Sequence, residues 1–286
     1  MVPAPLVYGA GAMAPLRAGR SRPGGRLFFS RQIRRPAPNR PMFDLSLDDG
    51  VGRLRLDRPQ ARNAIPAAGW TELARKCGEA SASGARLLIL SGTLEAFCAG
   101  ADLADFPSIA ADPARATAFR LVMRRGLDSV RDLPIATVAQ VEGPCYGAGV
   151  ALAMACDLRI AGPGARFAIT PAKFGISYPQ EDVARLVALV GPGQASRLLL
   201  GAGSVDSDEA ARIGLVERAT ADAAAAVGEL AAATRANSAE SIAVLKRAVR
   251  LAASGVARDE EQDRRFDAMF GSAELAERLA MLRPPR

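Results

Sequence analysis

The alternation of apolar and polar residues predicts a hairpin at the start of the folded part of the chain. Phe43, Leu45 and Leu47 alternate with polar residues. Asp48-Asp49-Gly50 has the composition of a turn, and residues 51–56 continue as a second strand. A domain therefore begins close to residue 42.

Further along, short apolar runs predict buried strands, and apolar residues that repeat every three or four positions predict helices. The strands expected after the hairpin are 86–90, 135–141, 158–161 and 167–169. The helices expected among them are 66–80, 119–130 and 149–156. Strands that alternate with helices indicate an α/β core.

From Gln180 onward the pattern is almost entirely helical. The expected helices are 181–190, 193–200, 207–213, 222–235, 239–253, 257–270 and 273–282. We therefore predict an α/β fold in three parts. They are an Arg-, Pro- and Gly-rich tail at 1–41, a core at 42–205 and a helical C-terminal region at 206–286.

The net charge of +7 comes from the tail, which holds eight arginines and no acidic residue. The rest of the chain has 29 basic and 30 acidic residues and is close to neutral. A nucleic-acid-binding domain needs a basic face on its folded part. We therefore expect no nucleic-acid partner.

Two interpretations of the tail remain open. Its composition and lack of periodicity predict disorder, and an arginine-rich, acid-free N-terminus also resembles an organellar transit peptide. Met42, just before the first strand, and the use of 34 Arg against 3 Lys favour an upstream start in a bacterial gene. An upstream start predicts a bacterial cytoplasmic protein. A true transit peptide predicts an organellar matrix protein.

Several classes of site and protein are excluded by composition. No apolar run reaches the roughly 18 residues of a membrane-spanning helix. The chain has no histidine, which removes Ser-His-Asp and Cys-His mechanisms and argues against a zinc or iron site. Its four cysteines are scattered without a CxxC spacing, so no metal site and no disulfide framework is expected.

Two glycine-containing segments are candidates for a ligand site. One is 97–103, after a buried strand, and the other is 143–152, which opens a helix. Small residues let a ligand approach the backbone, and a helix N-terminus directs free N–H groups at it. Two such donors at one oxygen atom form an oxyanion hole. Close helix–strand packing is the alternative explanation of the glycines.

Two nucleotide-binding motifs do not fit these segments. In a dinucleotide fingerprint that begins at Gly147, the third glycine position holds Leu152, and no acidic residue lies about 20 residues further on. A phosphate loop ends in Gly-Lys-Ser/Thr, a tripeptide that the chain lacks. A dinucleotide-dependent oxidoreductase is therefore disfavoured.

Five segments, in this order and spacing, resemble the crotonase (enoyl-CoA hydratase/isomerase) family over residues 42 to 286. The first looks like the opening signature of the family, the next two like its oxyanion segments, and the last two like its helical signatures. They are LDRPQARNAI at 56–65, FCAGADL at 97–103, residues 143–161 with their ACDLRIA run, GPGQA at 191–195 and DEAARIGLV at 208–216.

The resemblance implies a spiral of ββα units and a helical trimerisation region, in a homotrimer or homohexamer. It implies an acyl-CoA substrate and no separate cofactor, since coenzyme A enters as part of the substrate. Its oxyanion donors would be the N–H groups of Ala101 and Ala148. The coenzyme A chain would lie along Ala101, Asp102, Leu103 and Ala104. Arg58 and Arg62 would meet its phosphates, unless they form surface ion pairs instead.

The chain departs from the family at its acidic residues. Hydratases of the family use two glutamates, of which one donates a proton while the other accepts one. The matching positions hold Ala151 and, by gapless matching after Phe167, Pro171. Two-glutamate hydration is therefore not expected.

The remaining acids offer one alternative base. Glu181 and Asp182 lie where some relatives place a catalytic acid, and either residue could shuttle a proton between carbon atoms. Both residues also suit a helix N-terminus, where acidic side chains complement the helix dipole.

The other polar residues near the two segments are expected to have structural roles. Asp102 is expected to cap a helix, and Glu142 to have a structural role at a strand end. Tyr146 and Tyr178 are expected to pack, half-buried, with a ligand hydrogen bond as the alternative. Cys145 is expected to be a small apolar filler, since it has no partner base to form its thiolate.

Two functions follow as hypotheses. The first is an enzyme that stabilises a thioester enolate and shifts a double bond or uses the enolate otherwise. The second is an acyl-CoA-binding or scaffolding protein that has lost its catalytic acids. The enzyme requires a carboxylate of Glu181 or Asp182 in the same pocket as the N–H groups of Ala101 and Ala148.

Overall fold

A computed structural model describes residues 41–93 and 95–282. The predicted tail, apart from Pro41, lies outside the described residues. The described residues all belong to one compact unit. None of their helices combines the length and the apolar character needed to cross a bilayer. The boundary expected between residues 205 and 206 stays a prediction.

The strands of the described chain form two sheets. Their bounds are β1 (Phe43–Asp48), β2 (Val51–Leu56), β3 (Leu87–Ser91), β4 (Ala136–Val141), β5 (Pro144–Tyr146), β6 (Leu158–Ala161), β7 (Arg166–Ala168), β8 (Ser204–Asp206) and β9 (Arg218–Ala219). The larger sheet has the order β1-β2-β3-β4-β6-β9, and the smaller has the order β5-β7-β8. Strand pairs are parallel except β1 with β2 and β7 with β8.

Helices follow most strands and make up nearly all of the C-terminal section. Their bounds are α1 (Ala67–Ala82), α2 (Phe106–Ala110), α3 (Pro113–Arg131), α4 (Ala148–Ala155), α5 (Gln180–Gly201), α6 (Ser207–Arg212), α7 (Ala223–Ala236), α8 (Ala239–Ala253), α9 (Glu260–Phe270) and α10 (Ala273–Met281). Short 3₁₀ helices lie at 59–61, 103–105 and 171–174. The predicted α/β architecture with a helical C-terminal section is confirmed.

The opening hairpin closes with a two-residue turn. Asp48 pairs with Val51 across it, and both intervening residues, Asp49 and Gly50, have positive φ. Two positive φ angles in sequence define the turn whose twist matches that of paired strands, and Asp-Gly is a favoured sequence for it. The hairpin expected from the alternation is therefore present with its register.

The larger sheet is buried on both faces. In β3, Leu88 and Leu90 point into the main core, while Leu87 and Ile89 join a second cluster that includes Ala226 of α7. A parallel strand covered on both faces has no polar side to display. This explains why its sequence is a continuous apolar run.

The differences from the expected elements are mostly short strands and helix ends. The helix expected at 119–130 begins at Pro113, because Asp112 caps it by accepting a hydrogen bond from the Ala114 N–H group at 2.8 Å. The short elements α2, β5, β8 and β9 were not expected, because two to five residues carry too little periodicity. The two helices expected at 181–190 and 193–200 form one element with a break at Gly191, whose φ is +73°.

Helix α8 is attached to β4 by a buried lysine. The Lys246 ammonium group lies 2.8 Å from Asp157 Oδ2 and donates to Ile135 O at 2.9 Å. Its side chain is 6% exposed. A buried charge of this kind requires its partners, and loss of one partner leaves the other uncompensated.

We expect Lys246→Met to lower the free energy of unfolding by about 2 kcal/mol, because Asp157 and Ile135 O lose their shared cation. Urea unfolding followed by circular dichroism measures this. The matched control is Lys76→Met, which removes the ion pair with Glu79 on the surface of α1. That change is expected to cost less than about 1 kcal/mol. Equal losses in the two variants would contradict the structural role of Lys246.

Candidate active site

The two glycine-containing segments lie against each other, backbone to backbone. Cys98 and Cys145 form an isolated parallel bridge. In it, the Cys98 N–H group donates to Pro144 O at 3.1 Å, and the Tyr146 N–H group donates to Cys98 O at 2.9 Å. Residues 47 positions apart in the chain (145 − 98) are thereby brought into one wall.

Glycines make this contact possible. A Cβ atom built on Gly149 would lie 2.3 Å from Cys98 O, and one on Gly100 would lie 2.7 Å from Tyr146 O and 3.3 Å from Ala148 N. Real Cβ atoms do not approach backbone oxygen atoms this closely. Gly100 also has a φ of +104°, which residues with a Cβ atom rarely adopt. The close packing that was the alternative explanation of the glycines is therefore present, and it leaves ligand access at the same segments as a prediction.

The N–H groups of Ala101 and Ala148 lie at this contact. The neighbours of Ala101 bond to Ile65, whose N–H group donates to Gly100 O at 2.7 Å and whose carbonyl accepts from the Asp102 N–H group at 2.9 Å. Ala148 is the first residue of α4, where N–H groups have no partner within the helix. Within the described chain, neither N–H group donates to a protein acceptor.

The opening segment 56–65 folds against the first of these segments. The amide of Asn63 is fully buried, donates to Ala96 O at 2.8 Å and accepts from the Arg58 N–H group at 2.9 Å. Asn63 has a φ of +57°, a left-handed conformation that asparagine tolerates better than most residues. This contact explains why an Asn stands in the motif.

Ala101 and Ala148 line a cleft of about 710 Å³. Its walls are mainly apolar, with side chains from the 3₁₀ helix at 103–105, from α2 and α3 and from the segment before α5. They include Leu103, Phe106, Ile109, Phe119, Met123 and Phe174. Phe106 and Phe119 pack edge to face with ring centroids 6.3 Å apart. Such a cleft suits an apolar chain near a polarised carbonyl.

The two positions at which the resemblance led us to expect glutamates also face this cleft. Ala151 lines it one turn along α4 from Ala148, and Pro171 lines it from the 3₁₀ helix at 171–174. Neither side chain can donate or accept a proton.

Asp182 is the one acidic residue among the described residues that line the cleft. Its side chain is fully buried, and Oδ1 lies 3.0 Å from Arg124 and 3.5 Å from Arg185. Oδ2 is buried and has no hydrogen-bond partner among the described residues. A buried oxygen atom without a partner is costly in a stable fold, so such atoms are candidates for a function.

The electrostatic surroundings of Asp182 pull its pKa in two directions. Burial raises the pKa of the carboxyl group, while the charges of Arg124 and Arg185 oppose that rise. Beside it, burial and the Asp182 charge hold the pKa of Tyr178 well above its ordinary value. The phenol thus stays protonated and donates to Gly147 O at 3.0 Å. Tyr178 fixes the turn that precedes Ala148.

The other predicted residues lie in varied places. Glu181 is exposed and does not line the cleft. Arg58 forms an ion pair with Asp102, whereas the exposed side chain of Arg62 makes no hydrogen bond or ion pair to the described chain. Asp102 also caps the 3₁₀ helix at 103–105 through a 3.0 Å bond from Ala104.

Cys145 and Glu142 lie outside the cleft lining. Burial raises the pKa of the Cys145 thiol well above its ordinary value, as an inert packing role requires. Glu142 lines a separate crevice, and burial and Asp222 raise its pKa.

Sequence reasoning missed four residues of the site. The Asn63 amide bonds to Ala96 O, and Arg124 forms the ion pair with Asp182. Arg120 and Lys173 place cations at the cleft. Asn63 had a sequence signal, because it stands inside the quoted signature. Arg124 had none, since it meets Asp182 across 58 residues of chain.

Comparison with known proteins agrees with this geometry. The enoyl-CoA hydratase/isomerase family model matches residues 46–278. A Mycobacterium tuberculosis protein named probable enoyl-CoA hydratase echA6 is 34% identical over 192 residues, 66% of this chain and 76% of that protein. Another from the same species, probable enoyl-CoA hydratase echA14, is 33% identical over 238 residues, 83% of this chain and 88% of that one.

Solved structures show the same architecture. An enoyl-CoA hydratase/isomerase family protein from Hyphomonas neptunium superposes with a TM-score of 0.80 at 32% identity, over 84% of this chain and 93% of that one. An enoyl-CoA hydratase/carnithine racemase from Magnetospirillum magneticum has a TM-score of 0.80 at 29% identity, over 85% and 92%. The fold is therefore that of the crotonases. This chain belongs to the crotonase superfamily, in the enoyl-CoA hydratase/isomerase family.

We expect Gly149→Ala to lower the free energy of unfolding by about 3 kcal/mol, because the new methyl group must displace Cys98 O. Thermal and urea unfolding measure the loss. The matched control is Gly228→Ala in α7, where a Cβ atom meets nothing within 4 Å. That variant is expected to gain up to about 1 kcal/mol from helix propensity. A Gly149→Ala protein as stable as the control would contradict the close contact.

Proposed function

We propose that this protein binds an acyl-CoA thioester with its carbonyl oxygen between the N–H groups of Ala101 and Ala148 and stabilises the enolate. Both N–H groups lack a protein acceptor in the described chain and line one cleft. Donors placed in advance where negative charge develops are a large source of rate enhancement. The apolar walls accept the acyl chain.

The observation that carries an enzymatic function is the partnerless Oδ2 atom of Asp182, in the same cleft as the two N–H groups. We propose that this oxygen atom takes a proton from a carbon atom of the acyl chain, while the thioester oxygen becomes the enolate. Asp182 then returns the proton to another carbon atom. One carboxyl group suffices for this, so the reaction is a double-bond isomerisation or another enolate reaction.

Hydration by the two-glutamate route is not proposed, because Ala151 and Pro171 occupy the positions of the acids. A water molecule would need one group to activate it and a second to protonate the neighbouring carbon atom. Asp182 alone cannot fill both roles at once.

Acyl-CoA binding without catalysis is the second candidate function. It is favoured by the contacts of Asp182 Oδ1, since Arg124 and Arg185 stabilise the charged carboxylate and weaken it as a base. In either function, we propose that Arg62 and the cleft cations Arg120 and Lys173 meet the phosphates of coenzyme A. The relatives reported above are bacterial proteins, which supports the predicted cytoplasmic location.

We expect the protein to exchange the protons next to the thioester carbonyl for deuterium, and Asp182→Asn to lose at least about a hundredfold in that rate. Purified protein is incubated in heavy water with saturated and unsaturated acyl-CoAs of several lengths, and uptake is followed by mass spectrometry. The amide keeps the shape of the carboxylate, so acyl-CoA affinity is expected to persist.

Glu181→Gln is the matched variant, because it removes the neighbouring exposed carboxylate. Exchange is expected to continue in it. Loss in Glu181→Gln but not in Asp182→Asn would reassign the base. In the wild type the rate should rise as pH increases through the pKa of Asp182, which burial raises above its ordinary value. Tight binding of thioesters without any exchange would refute the enzymatic function and favour the second candidate.

We also propose that the protein forms a homotrimer or homohexamer through its C-terminal helices. These helices expose apolar side chains that a monomer would leave in water. The most exposed are Leu245, Val249, Phe266, Phe270, Met281 and Leu282. Three arginines of α9 and α10, Arg264, Arg265 and Arg278, pair with glutamates of their own helix.

We expect the molar mass in solution to be three or six times the 29.8 kDa of the chain, and Phe270→Glu to lower it, because a carboxylate on the buried face must lose its hydration. Light scattering after size exclusion measures this. Leu47→Glu on the β1–β2 hairpin is the control, and its mass should not change. A monomeric wild type over the micromolar range would contradict the proposed assembly.

A further inference from the structure

We propose that Arg58 and Asp102 act as a positioning pair, which sets the direction of the Ala101 N–H group and neutralises the charge next to the bound thioester oxygen. The inference rests on the oxyanion-binding role proposed for Ala101. It assigns the Arg58 guanidinium to Asp102 and not to the phosphates of coenzyme A.

The ion pair is short and shielded from water. Arg58 Nη1 lies 2.6 Å from Asp102 Oδ2, and each side chain is only 14% exposed. The same Nη1 atom donates to Ala64 O at 2.8 Å. A guanidinium group with two oxygen partners in a shielded site is fixed in orientation. An exposed guanidinium group that binds a phosphate from solvent has no such partners before the phosphate arrives.

Arg58 is in turn fixed by its own backbone. Its N–H group donates to Oδ1 of the buried Asn63 amide, and that amide donates to Ala96 O and Phe97 O. Asn63, near the end of the opening signature, therefore attaches it to the chain just before Cys98. Arg58, near its start, attaches it through the ion pair with Asp102 to the residue just after Ala101.

Asp102 is the point at which these contacts meet. Its Oδ2 atom lies 2.6 Å from Arg58 Nη1 in the ion pair. Its Oδ1 atom accepts from the Ala104 N–H group at 3.0 Å, and its own N–H group donates to Ile65 O at 2.9 Å. On the other side of Ala101, Gly100 O accepts from the Ile65 N–H group at 2.7 Å. The peptide groups on both sides of the Ala101 Cα atom are held, so its N–H group has one direction.

Charge gives the pair a second effect. The Asp102 carboxylate lies one residue from the proposed donor, where an uncompensated negative charge would oppose the negative charge that develops on the thioester oxygen. Arg58 cancels that charge at 2.6 Å. In a site shielded from water this cancellation is larger than it would be on an open surface.

The test measures polarisation of the thioester carbonyl directly. A panel of saturated acyl-CoAs, labelled with ¹³C at the carbonyl carbon, is bound to the protein, and the C=O stretching band is followed by infrared difference spectroscopy. In the wild type we expect the band to move to lower frequency on binding, because two N–H groups bond to the oxygen. In Arg58→Ala we expect most of that shift to be lost.

Deuterium exchange should fall in parallel. We expect Arg58→Ala to lose about tenfold to a hundredfold in rate, less than the roughly hundred- to thousandfold loss seen when a donor is removed outright. Arg58→Lys should retain part of both signals, because it keeps the charge with one contact. In Arg58→Ala combined with Asp102→Asn, removal of the unpaired carboxylate should restore part of the carbonyl shift, which a merely structural role would not predict.

The matched control is Arg55→Ala, which breaks the exposed pair of Arg55 with Asp44 on the β1–β2 hairpin. Its carbonyl shift should equal that of the wild type, and melting temperatures are compared for all variants. If Arg58→Ala does not fold, Arg58→Lys is tested in its place. A carbonyl band in Arg58→Lys that equals the wild-type band would then overturn the positioning role. A folded Arg58→Ala protein whose carbonyl band and deuterium exchange rate equal those of the wild type would also overturn it.

Two further results separate this inference from the proposed function. A loss of acyl-CoA affinity in Arg58→Ala, with an unchanged band for the bound thioester, would assign Arg58 to the phosphates and overturn the pair. A wild type that shifts the band but exchanges no deuterium would refute catalysis by Asp182, and the infrared comparison would still decide the role of Arg58. A wild type that binds thioesters without any shift would overturn both.

Discussion

The contact between Cys98 and Cys145 is the constraint on which the rest of the site depends. It is a backbone contact, with two hydrogen bonds and two glycines that allow an approach no other residue would permit. The contact places Ala101 beside Ala148, and it also seats α4 against the core. Stability and the proposed ligand binding therefore depend on the same few residues. A change that loosens the packing here would also separate the two N–H groups.

The opening signature has a structural function that motif matching alone does not explain. Its asparagine and its first arginine bond to the chain on either side of Ala101. The apolar residues of the signature complete the core, and Ile65 forms the bridge to Ala101. The residues of the family motif thus hold the first glycine-containing segment in place.

Asp182 brings a carboxylate to the cleft from the first turn of α5. Ala151 and Pro171, where the resemblance predicts the acids of a hydratase, line the same cleft without a group that could carry a proton. The surroundings of Asp182 combine burial, which raises the pKa of the carboxyl group, with two arginines, which oppose that rise. In the proposed function, the two N–H groups hold the developing charge and the proton carrier comes from a different helix.

The amino-acid sequence by itself determined the α/β order of elements, the helical C-terminal section and the positions of both glycine-containing segments. These features depend on local periodicity and on glycines at set spacings, which a single stretch of chain displays. Tertiary structure alone decided which acid meets the cleft, since Glu181 and Asp182 are neighbours and only the rotation of α5 buries one of them. It also decided that Arg58 is paired with Asp102 while Arg62 remains exposed. Such choices depend on contacts across tens of residues, for which the chain carries no local pattern.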